Sequence, residues 1–118
     1  MCPVDFFDKY PLFYQTSKTG PWRNRLNRRY CALIESNQEI LRRASVLDLA
    51  SHDGRWSFAA LKNGAGKVTG IEGREELVRN ARENMEVYGI PRDRYHFILG
   101  DVFREIEELR RGSFDVVF

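Results

Sequence analysis

Three carboxylates, Asp48, Glu72 and Asp101, each stand at or near the end of a short apolar segment. The three segments are VLDLA (46–50), VTGIE (68–72) and FILGD (97–101). Short apolar runs of this kind are typical of strands buried on both faces of a parallel sheet. Ligands bind outside the carboxyl ends of such strands, at the point where the strand order reverses. We therefore expect the three acids to gather along one edge of a sheet, where each can accept hydrogen bonds.

Two of these acids have chemistry that suits a nucleoside. The two oxygens of Glu72 can accept from adjacent ribose hydroxyls and would repel a phosphate, while Gly73 lets a flat base approach the backbone. Asp101 can accept from an exocyclic amine such as the adenine N6, and the amide of Val102 or Phe103 can hold a ring nitrogen. Both acids also have structural alternatives. Glu72 can stabilise a helix N-terminus, and Asp101 can be the N-cap of the next helix.

The turn after the first segment reads ASHDG and contains one glycine, Gly54, where a loop that approaches a ligand usually has several. His52 can contact a ligand, act as a base or bond to nearby backbone. Arg55 either neutralises Asp53 or reaches a ligand. Asp48 also needs partners, because an unpaired carboxylate in an apolar strand is unfavourable. Either the turn donates hydrogen bonds to it, or it faces a cationic ligand.

The elements that position these residues alternate from residue 45 onward. Short apolar runs predict strands, and periods of three to four, ended by glycine or proline, predict helices. The predicted strands are residues 45–50, 67–72, 94–99 and 114–118, and the predicted helices are residues 54–63, 74–89 and 102–111. This pattern predicts an α/β fold: an incomplete, four-stranded, Rossmann-like parallel sheet with helices on both faces.

Residues 1–44 are interpreted as a separate N-terminal region of aromatic arm and helices, ahead of a Rossmann-like half-domain at 45–118. The arm has too many aromatic residues for a disordered tail, so we expect it to pack. A helix is predicted from Trp22 to Ile34, and a second short helix ends near Ala44. The segment WRNRLNRRY (22–30) holds most of a local basic excess. It is either a solvated helix face or a site for phosphate or an acidic partner.

The whole chain has 118 residues and a net charge of +2, which is too small to indicate nucleic acid. Cys2 and Cys31 belong to no metal-binding pattern, so neither a metal site nor a disulfide is expected, and a reducing compartment fits best. The N-terminus lacks the pattern of a signal peptide, and no apolar run approaches the length of a membrane span. These features predict a cytoplasmic protein.

The segments VLDLASHDG, VTGIEG, FILGDVF and FDVVF, in this order, resemble the class I S-adenosylmethionine-dependent methyltransferases. The resemblance covers roughly residues 45–118. In that family an acidic residue near the end of the first strand is followed by three alternating glycines. Asp48 matches the acid, while Ala50, His52 and Gly54 match the glycines. S-adenosylmethionine has no phosphate, so a loop with few glycines is less harmful to it than to a dinucleotide.

The resemblance implies S-adenosyl-L-methionine as cofactor and assigns residues to its parts. The loop after the first strand would wrap the methionine moiety, Glu72 would bind the ribose hydroxyls, and Asp101 with Val102 would hold the adenine. The implied cofactor-binding residues are Asp48, Ala50, Ser51, His52, Gly54, Glu72, Gly73, Asp101 and Val102. The methyl acceptor is unknown.

The family fold continues beyond the four strands predicted here, so the chain resembles the cofactor-binding half of a larger enzyme. Catalytic residues are unknown and are expected after Phe118. The fourth strand is interior in the family but becomes an edge here, and an apolar edge invites pairing with another chain. We therefore expect a homo-oligomer or strand exchange through residues 114–118.

Two other functions remain open. A nicotinamide-dependent oxidoreductase shares the fold and the acid after the second strand, but it would need G-x-G-x-x-G after the first strand, which ASHDGRW does not supply. A non-catalytic binding or assembly module would keep the fold without the ligand. The substitutions at Ala50 and His52 are compatible with that alternative.

Overall fold

The computed structural model describes residues 2–16, 22–109 and 113–118. Its strands form one parallel sheet in the order β3-β2-β1-β4. They are β1 (Ser45–Leu49), β2 (Lys67–Glu72), β3 (Tyr95–Leu99) and β4 (Val116–Val117). Parallel neighbours need a crossover connection, and each connection along the chain contains a helix. The α/β fold predicted from the alternating pattern is confirmed.

Helices lie on both faces of this sheet, as predicted. The α-helices within the described residues are α1 (Leu12–Gln15), α2 (Arg23–Leu33), α3 (Gln38–Leu41), α4 (Arg55–Lys62), α5 (Glu75–Val87) and α6 (Val102–Glu108), and short 3-10 helices cover Phe6–Lys9, Glu35–Asn37 and Arg92–Arg94. In α5, Leu77, Val78, Ala81 and Met85 are buried along one face, which is the period that predicted the helix. Residues 110–111, the end of the helix predicted at 102–111, lie outside the described residues. Among the described helices, none has the length and apolar character that a membrane span needs.

Strand β4 is shorter than the predicted 114–118. Only Val116 and Val117 pair with β1. The chain bends at Asp115, and its carboxylate oxygen Oδ2 accepts a hydrogen bond from the Ser45 amide at 2.9 Å. The Asp115 amide also donates to the Ser45 carbonyl at 2.8 Å, so Asp115 bonds to the start of β1 just outside the assigned strand.

The N-terminal aromatic residues pack into the main core, as expected. Phe7 and Phe13 are completely buried there. The Phe6 ring stacks on Tyr30 of α2 with centroids 3.9 Å apart, and the centroid of Tyr10 lies 4.6 Å from that of Phe58 in α4. Aromatic pairs contribute beyond the area they bury. The core of the molecule is therefore shared between the N-terminal region and the sheet.

A buried amide joins the N-terminal arm to α2. Asn27 accepts a hydrogen bond from the Phe7 amide at 2.8 Å and donates to the Tyr14 hydroxyl at 2.9 Å. The Tyr14 hydroxyl donates to Asp8 at 2.6 Å. Burial and the bond to Asp8 raise the pKa of Tyr14 to about 12, so it stays a donor at neutral pH. Because the polar groups are paired, this part of the core has little desolvation penalty.

Cys2 and Cys31 form a disulfide, and the prediction that the chain has none is wrong. The two cysteines are 29 residues apart, with Cα atoms 5.8 Å from each other. Their pairing depends on the arm folding back along α2, which places Phe6 against Tyr30 beside Cys31. Residue spacing alone does not reveal such a contact. The expectation of a reducing compartment, drawn from unpaired cysteines, loses that support.

Candidate functional site

The loop after β1 has a left-handed backbone at three alternate positions. The φ angles are +54° at Ala50, +58° at His52 and +83° at Gly54. These are the positions that match the three glycines of the family pattern. Side chains other than glycine are uncommon in this conformation, although histidine is less disfavoured than branched residues. The loop thus keeps the backbone of a glycine-rich loop with only one glycine.

Packing explains why Gly54 alone remains a glycine. A Cβ atom at this position would lie 3.1 Å from the Cβ of Ala81 in α5 and 3.2 Å from the ring of Phe97 in β3. Ala50 is exposed and His52 is partly exposed, so their side chains have room. The third position therefore has a steric requirement in addition to its φ angle, whereas the first two have only the backbone cost.

We predict that Ala50→Gly stabilises the protein. Glycine relieves a left-handed φ that disfavours L-residues by roughly 1–2 kcal/mol, but it adds entropy to the unfolded chain. The expected net gain in the free energy of unfolding is about 0.5–1 kcal/mol. Urea denaturation of both proteins measures it. Ala65→Gly, at a buried position whose φ is not in the left-handed region, should destabilise instead. A loss of stability in Ala50→Gly would contradict the strain argument.

Ser51 directs its side chain inward from this loop. A Cβ atom on Gly70 of β2 would lie 2.8 Å from Ser51 Oγ, so the glycine makes room for the serine. The Ser51 amide donates to the Ile71 carbonyl at 2.9 Å. Its hydroxyl oxygen is buried and has no hydrogen-bond partner among the described residues. Ser51 therefore joins the loop to β2 through its amide and packs its side chain against Gly70.

Asp48 accepts hydrogen bonds from a residue of α4. The Ser57 hydroxyl donates to Asp48 Oδ2 at 2.6 Å, and the Ser57 amide bonds to the same carboxylate. Of the two alternatives for Asp48, the structure thus provides hydrogen bonds, from the helix that follows the turn. Burial raises the pKa of Asp48 to about 6, and the nearby carboxylates of Asp53 and Glu72 add to that increase.

This pKa predicts a pH dependence of stability. A carboxyl group whose pKa is higher in the folded state than in the unfolded state destabilises the fold when it ionises. The stability contribution of Asp48 should therefore fall as the pH rises from 3.8 to about 6, by about 2–3 kcal/mol. Asp48→Asn should remove this decline. Denaturant titrations of both proteins across this pH range measure it, and equal slopes would contradict the assignment.

Asp53 is the centre of a buried polar network. It pairs with Arg55 at 2.8 Å (Nε to Oδ1) and accepts from the Thr16 hydroxyl at 2.8 Å. Asn84 of α5 donates to both Thr16 and the Asp53 carbonyl. Burial opposes ionisation, but hydrogen bonds from His52, Arg55 and Thr16 outweigh it and hold the pKa of Asp53 below its ordinary value. Arg55 thus neutralises Asp53, which is the first of its two alternatives.

Glu72 accepts hydrogen bonds at both carboxylate oxygens. The His52 amide donates to Oε1, and the amide and Nε of Arg74 donate to Oε2, each at 3.0 Å. Burial opposes ionisation of Glu72, but these bonds lower its pKa. Only 4% of the Glu72 side chain is exposed, against 65% of Arg74. A ribose that binds Glu72 must therefore displace the exposed Arg74 side chain.

Asp101 is the N-cap of α6, as its structural alternative proposed. Its Oδ1 accepts from the amides of Phe103 at 2.9 Å and Arg104 at 3.1 Å. Its Oδ2 accepts no hydrogen bond from the described residues. The Phe103 amide already donates to Asp101. The Val102 amide, in the first turn of α6, can therefore donate to a ligand. Gly73 is exposed, and a Cβ there would make only ordinary contact, 3.7 Å from the Gly100 carbonyl.

The three acids lie at the same edge of the sheet. Asp48 is paired in register with Gly70 of β2, and Glu72 with Leu99 of β3. Asp101 follows Leu99 by two residues. The carboxyl ends of β1, β2 and β3 therefore bring together Asp48, Glu72 and Asp101, as expected. The loop after β1 joins this group because the His52 amide bonds to Glu72.

Sequence reasoning did not identify several residues of this site. Ser57 is a serine in the first turns of the helix after Asp48, and its position there was a usable signal. Asn84 follows Ala81 by three residues on the buried face of α5, so a polar residue in that stripe was a second signal. Thr16 lies 37 residues before Asp53, and no local pattern links the two.

The profile described as "Methyltransferase domain" matches residues 46–118. The chain belongs to the methyltransferase domain family. Its fold is that of the class I S-adenosylmethionine-dependent methyltransferases. This family assignment agrees with the resemblance carried by the strand ends and the loop after β1.

Relatives of this methyltransferase domain include two longer proteins. The candidate ribosomal RNA large subunit methyltransferase MJ1653 of Methanocaldococcus jannaschii is 33% identical over 92% of this chain and 28% of its own length. Ribosomal RNA large subunit methyltransferase I of Photobacterium profundum is 32% identical over 85% of this chain and 24% of its own length. This methyltransferase domain thus spans about a quarter of each relative.

A solved structure shares the fold of this methyltransferase domain. The bifunctional kinase-methyltransferase WbdD is 28% identical, with a TM-score of 0.65 over 77% of this chain and 20% of that chain. The match is consistent with the family shown by the sequence profile. As with the two relatives, the shared part is a fraction of the longer protein.

Proposed function

We propose that this chain binds S-adenosyl-L-methionine at the carboxyl edge of its sheet and is the cofactor-binding part of an enzyme that methylates RNA. The loop after β1 is the observation that carries the proposal. It keeps three left-handed positions and donates an amide to Glu72. Such strain in non-glycine residues is maintained where a site requires a particular backbone shape.

The adenosine half of the cofactor fits the acids of this edge. Glu72 is ionised at neutral pH, because its pKa lies below its ordinary value, and it offers two oxygens to a ribose diol. Asp101 Oδ2 has no bond from the described residues and can accept from an amine. The Val102 amide, at the start of α6, can donate to a ring nitrogen. The same acidic edge disfavours a phosphate, which is consistent with a cofactor that has none.

The methionine half is assigned to the loop, including Ala50, Ser51, His52 and Gly54. When bound, S-adenosyl-L-methionine supplies an activated methyl group on a positively charged sulfur. The residues of this chain would hold the cofactor and keep water from its buried side. Positioning of this kind is a large part of catalysis for a displacement reaction. The catalytic residues and the acceptor-binding residues would come from the rest of the larger protein.

Isothermal titration calorimetry of the 118-residue chain tests the cofactor. Heat with S-adenosyl-L-methionine and none with the oxidised nicotinamide cofactor is expected. Glu72→Gln keeps an oxygen for the His52 amide but loses the charge, and should weaken binding at least about tenfold. Arg74→Ala removes the competitor for Oε2 and should tighten binding about threefold. The matched control is Glu76→Gln, at an exposed position of α5.

Other outcomes of this titration select the other functions. Heat from the nicotinamide cofactor alone would favour an oxidoreductase. Heat from neither cofactor would favour a non-catalytic assembly module. If Glu72→Gln binds as well as Glu76→Gln, the assignment of the ribose to Glu72 fails even where the cofactor binds.

RNA is the proposed acceptor because two relatives that match most of this chain are described as ribosomal RNA methyltransferases. The net charge does not indicate RNA, but a sum over the whole chain conceals a local excess. We also propose a cytoplasmic location. A reducing compartment disfavours disulfides, so the Cys2–Cys31 disulfide of the structure does not support this location.

The outer edge of β4 is proposed to pair with another strand, and in a sample of this chain alone the partner would be a second copy. Val117 is 57% exposed at this edge. Apolar edge strands favour such pairing. Light scattering after size-exclusion chromatography should show a dimer that Val117→Lys disrupts. A monomer at all concentrations would exclude the pairing.

A further inference from the structure

The exposed face of α2 has a cluster of arginines, and the helix contains no acidic residue. Four of its eleven residues are arginine, and none is acidic. All four are exposed to solvent: Arg23, Arg25, Arg28 and Arg29. Residues three and four apart on a helix lie on the same face, so Arg25, Arg28 and Arg29 form one continuous positive surface. Like charges this close repel each other, which makes the cluster unfavourable in isolation.

Several exposed arginines lack an ion pair, but those of α2 also have no acidic residue on their own helix. No described residue forms an ion pair with Arg25, Arg28 or Arg29. By contrast, Arg74 pairs with Glu72, and Arg94 donates to two backbone carbonyls. Of the four arginines, Arg23 lies over the Tyr14 ring, 4.6 Å from its centroid, whereas Arg25, Arg28 and Arg29 make no ion pair with a described residue. An anionic partner would relieve the repulsion within the cluster.

An exposed tryptophan stands at the start of the same helix. Trp22 is 60% exposed, although the aromatic residues of the arm before it are mostly buried. Together with Arg25, Arg28 and Arg29 it lines a groove of about 700 Å³. A flat apolar ring beside unpaired cations is the combination that binds single-stranded nucleic acid. The ring stacks on a base, and the cations contact the phosphates.

This surface is continuous with the loop after β1. A second groove, of about 190 Å³, is lined by Trp22, Arg25, Leu26, Arg29, Arg55 and Trp56. Arg55 is bound to Asp53 within that loop. An anionic chain that lies on α2 would therefore extend toward the edge where the cofactor is proposed to bind.

We propose that Trp22 and the arginines of α2 bind a single-stranded segment of the RNA substrate, and that they direct it toward the cofactor edge. This inference rests on the proposed function. The ring of Trp22 distinguishes a single strand from a duplex, because paired bases are stacked in a helix and cannot lie on it. An acidic peptide would use the arginines but has no base to stack on Trp22.

The test is fluorescence anisotropy with a labelled, mixed-sequence, single-stranded RNA of twelve nucleotides and the 118-residue chain. The double variant Arg25→Ala/Arg29→Ala should bind at least about tenfold more weakly, and the salt dependence of log K should decrease by about 1.4, or roughly 0.7 per phosphate contact. Trp22→Ala should bind about tenfold more weakly with the salt dependence unchanged. Trp22→Phe, which keeps an aromatic face, should recover most of the affinity.

The matched control is Arg79→Ala/Arg92→Ala, which removes the same charge from exposed sites beside acidic residues. It should change the affinity less than about twofold. Equal weakening by the two double variants would overturn the proposal, as would equal affinity for duplex RNA or full competition by polyglutamate. Titration of S-adenosyl-L-methionine into the same samples separates the two hypotheses. If the native chain binds S-adenosyl-L-methionine but not the RNA, only this surface is rejected. If it binds the RNA but not the cofactor, only the cofactor site is rejected.

Discussion

Asp53→Ala is expected to lower the free energy of unfolding by about 4 kcal/mol, the typical effect of removing one member of a buried ion pair. Asp53 is completely buried, and its carboxylate bonds to Arg55 and Thr16. Its loss leaves a buried guanidinium without this counter-charge and the partly buried Thr16 hydroxyl without this acceptor. Because Thr16 belongs to the N-terminal arm, the arm should also separate from the loop after β1.

Urea denaturation at neutral pH measures the effect. Asp53→Asn keeps an oxygen for Thr16 but not the charge, so it should fall between the native protein and Asp53→Ala. Asp93→Ala, at an exposed position, is the control and should change stability by less than about 0.5 kcal/mol. A value for Asp53→Ala close to that of the control would show that the buried network contributes little to the fold.

Gly54→Ala is expected to have a similar effect, about 4 kcal/mol, from two causes that add. The φ of +83° disfavours any L-residue. In addition, the new Cβ would press on Ala81 and on the ring of Phe97. Both neighbours are buried in the core and cannot move without disturbing α5 or β3. If the protein folds, the altered loop should also weaken the binding of S-adenosyl-L-methionine.

Gly89→Ala separates the two causes. Gly89 has a φ of +74°, and a Cβ there would meet nothing within 4 Å. It should therefore show only the backbone term, about 1 kcal/mol. The difference between the two variants in thermal or chemical denaturation gives the steric term at Gly54. Equal losses would mean that the contacts with Ala81 and Phe97 are not restrictive.

The strands and helices could be predicted from the sequence because their signals are local. The apolar runs of β1, β2 and β3 and the periodic face of α5 depend on neighbouring residues and on glycine or proline at their ends. Because the carboxyl ends of parallel strands meet at one edge of the sheet, the strand ends alone predicted the shared edge of Asp48, Glu72 and Asp101. The fourth strand was predicted least accurately: it was expected at residues 114–118, and only Val116 and Val117 pair in register with β1.

The partners of the site residues could not be predicted in the same way. Asp48 bonds to Ser57, Glu72 to Arg74 and His52, and Asp101 to its own helix, and several alternatives had been open for each. Which donor each carboxylate accepts from depends on small differences in donor–acceptor distance and angle. Spacing along the chain does not contain that information.

The sequence by itself determined the parallel α/β order, the edge that carries the acids and the positions of the loop. Only the tertiary structure decided which of these groups are already paired, why Gly54 must be glycine while Ala50 need not be, and that Cys2 meets Cys31. The physical reason is the range of the interactions. Hydrophobic period and turn preference act between residues a few positions apart, whereas ion pairs, steric contacts and a disulfide form between segments that meet only after the chain has folded.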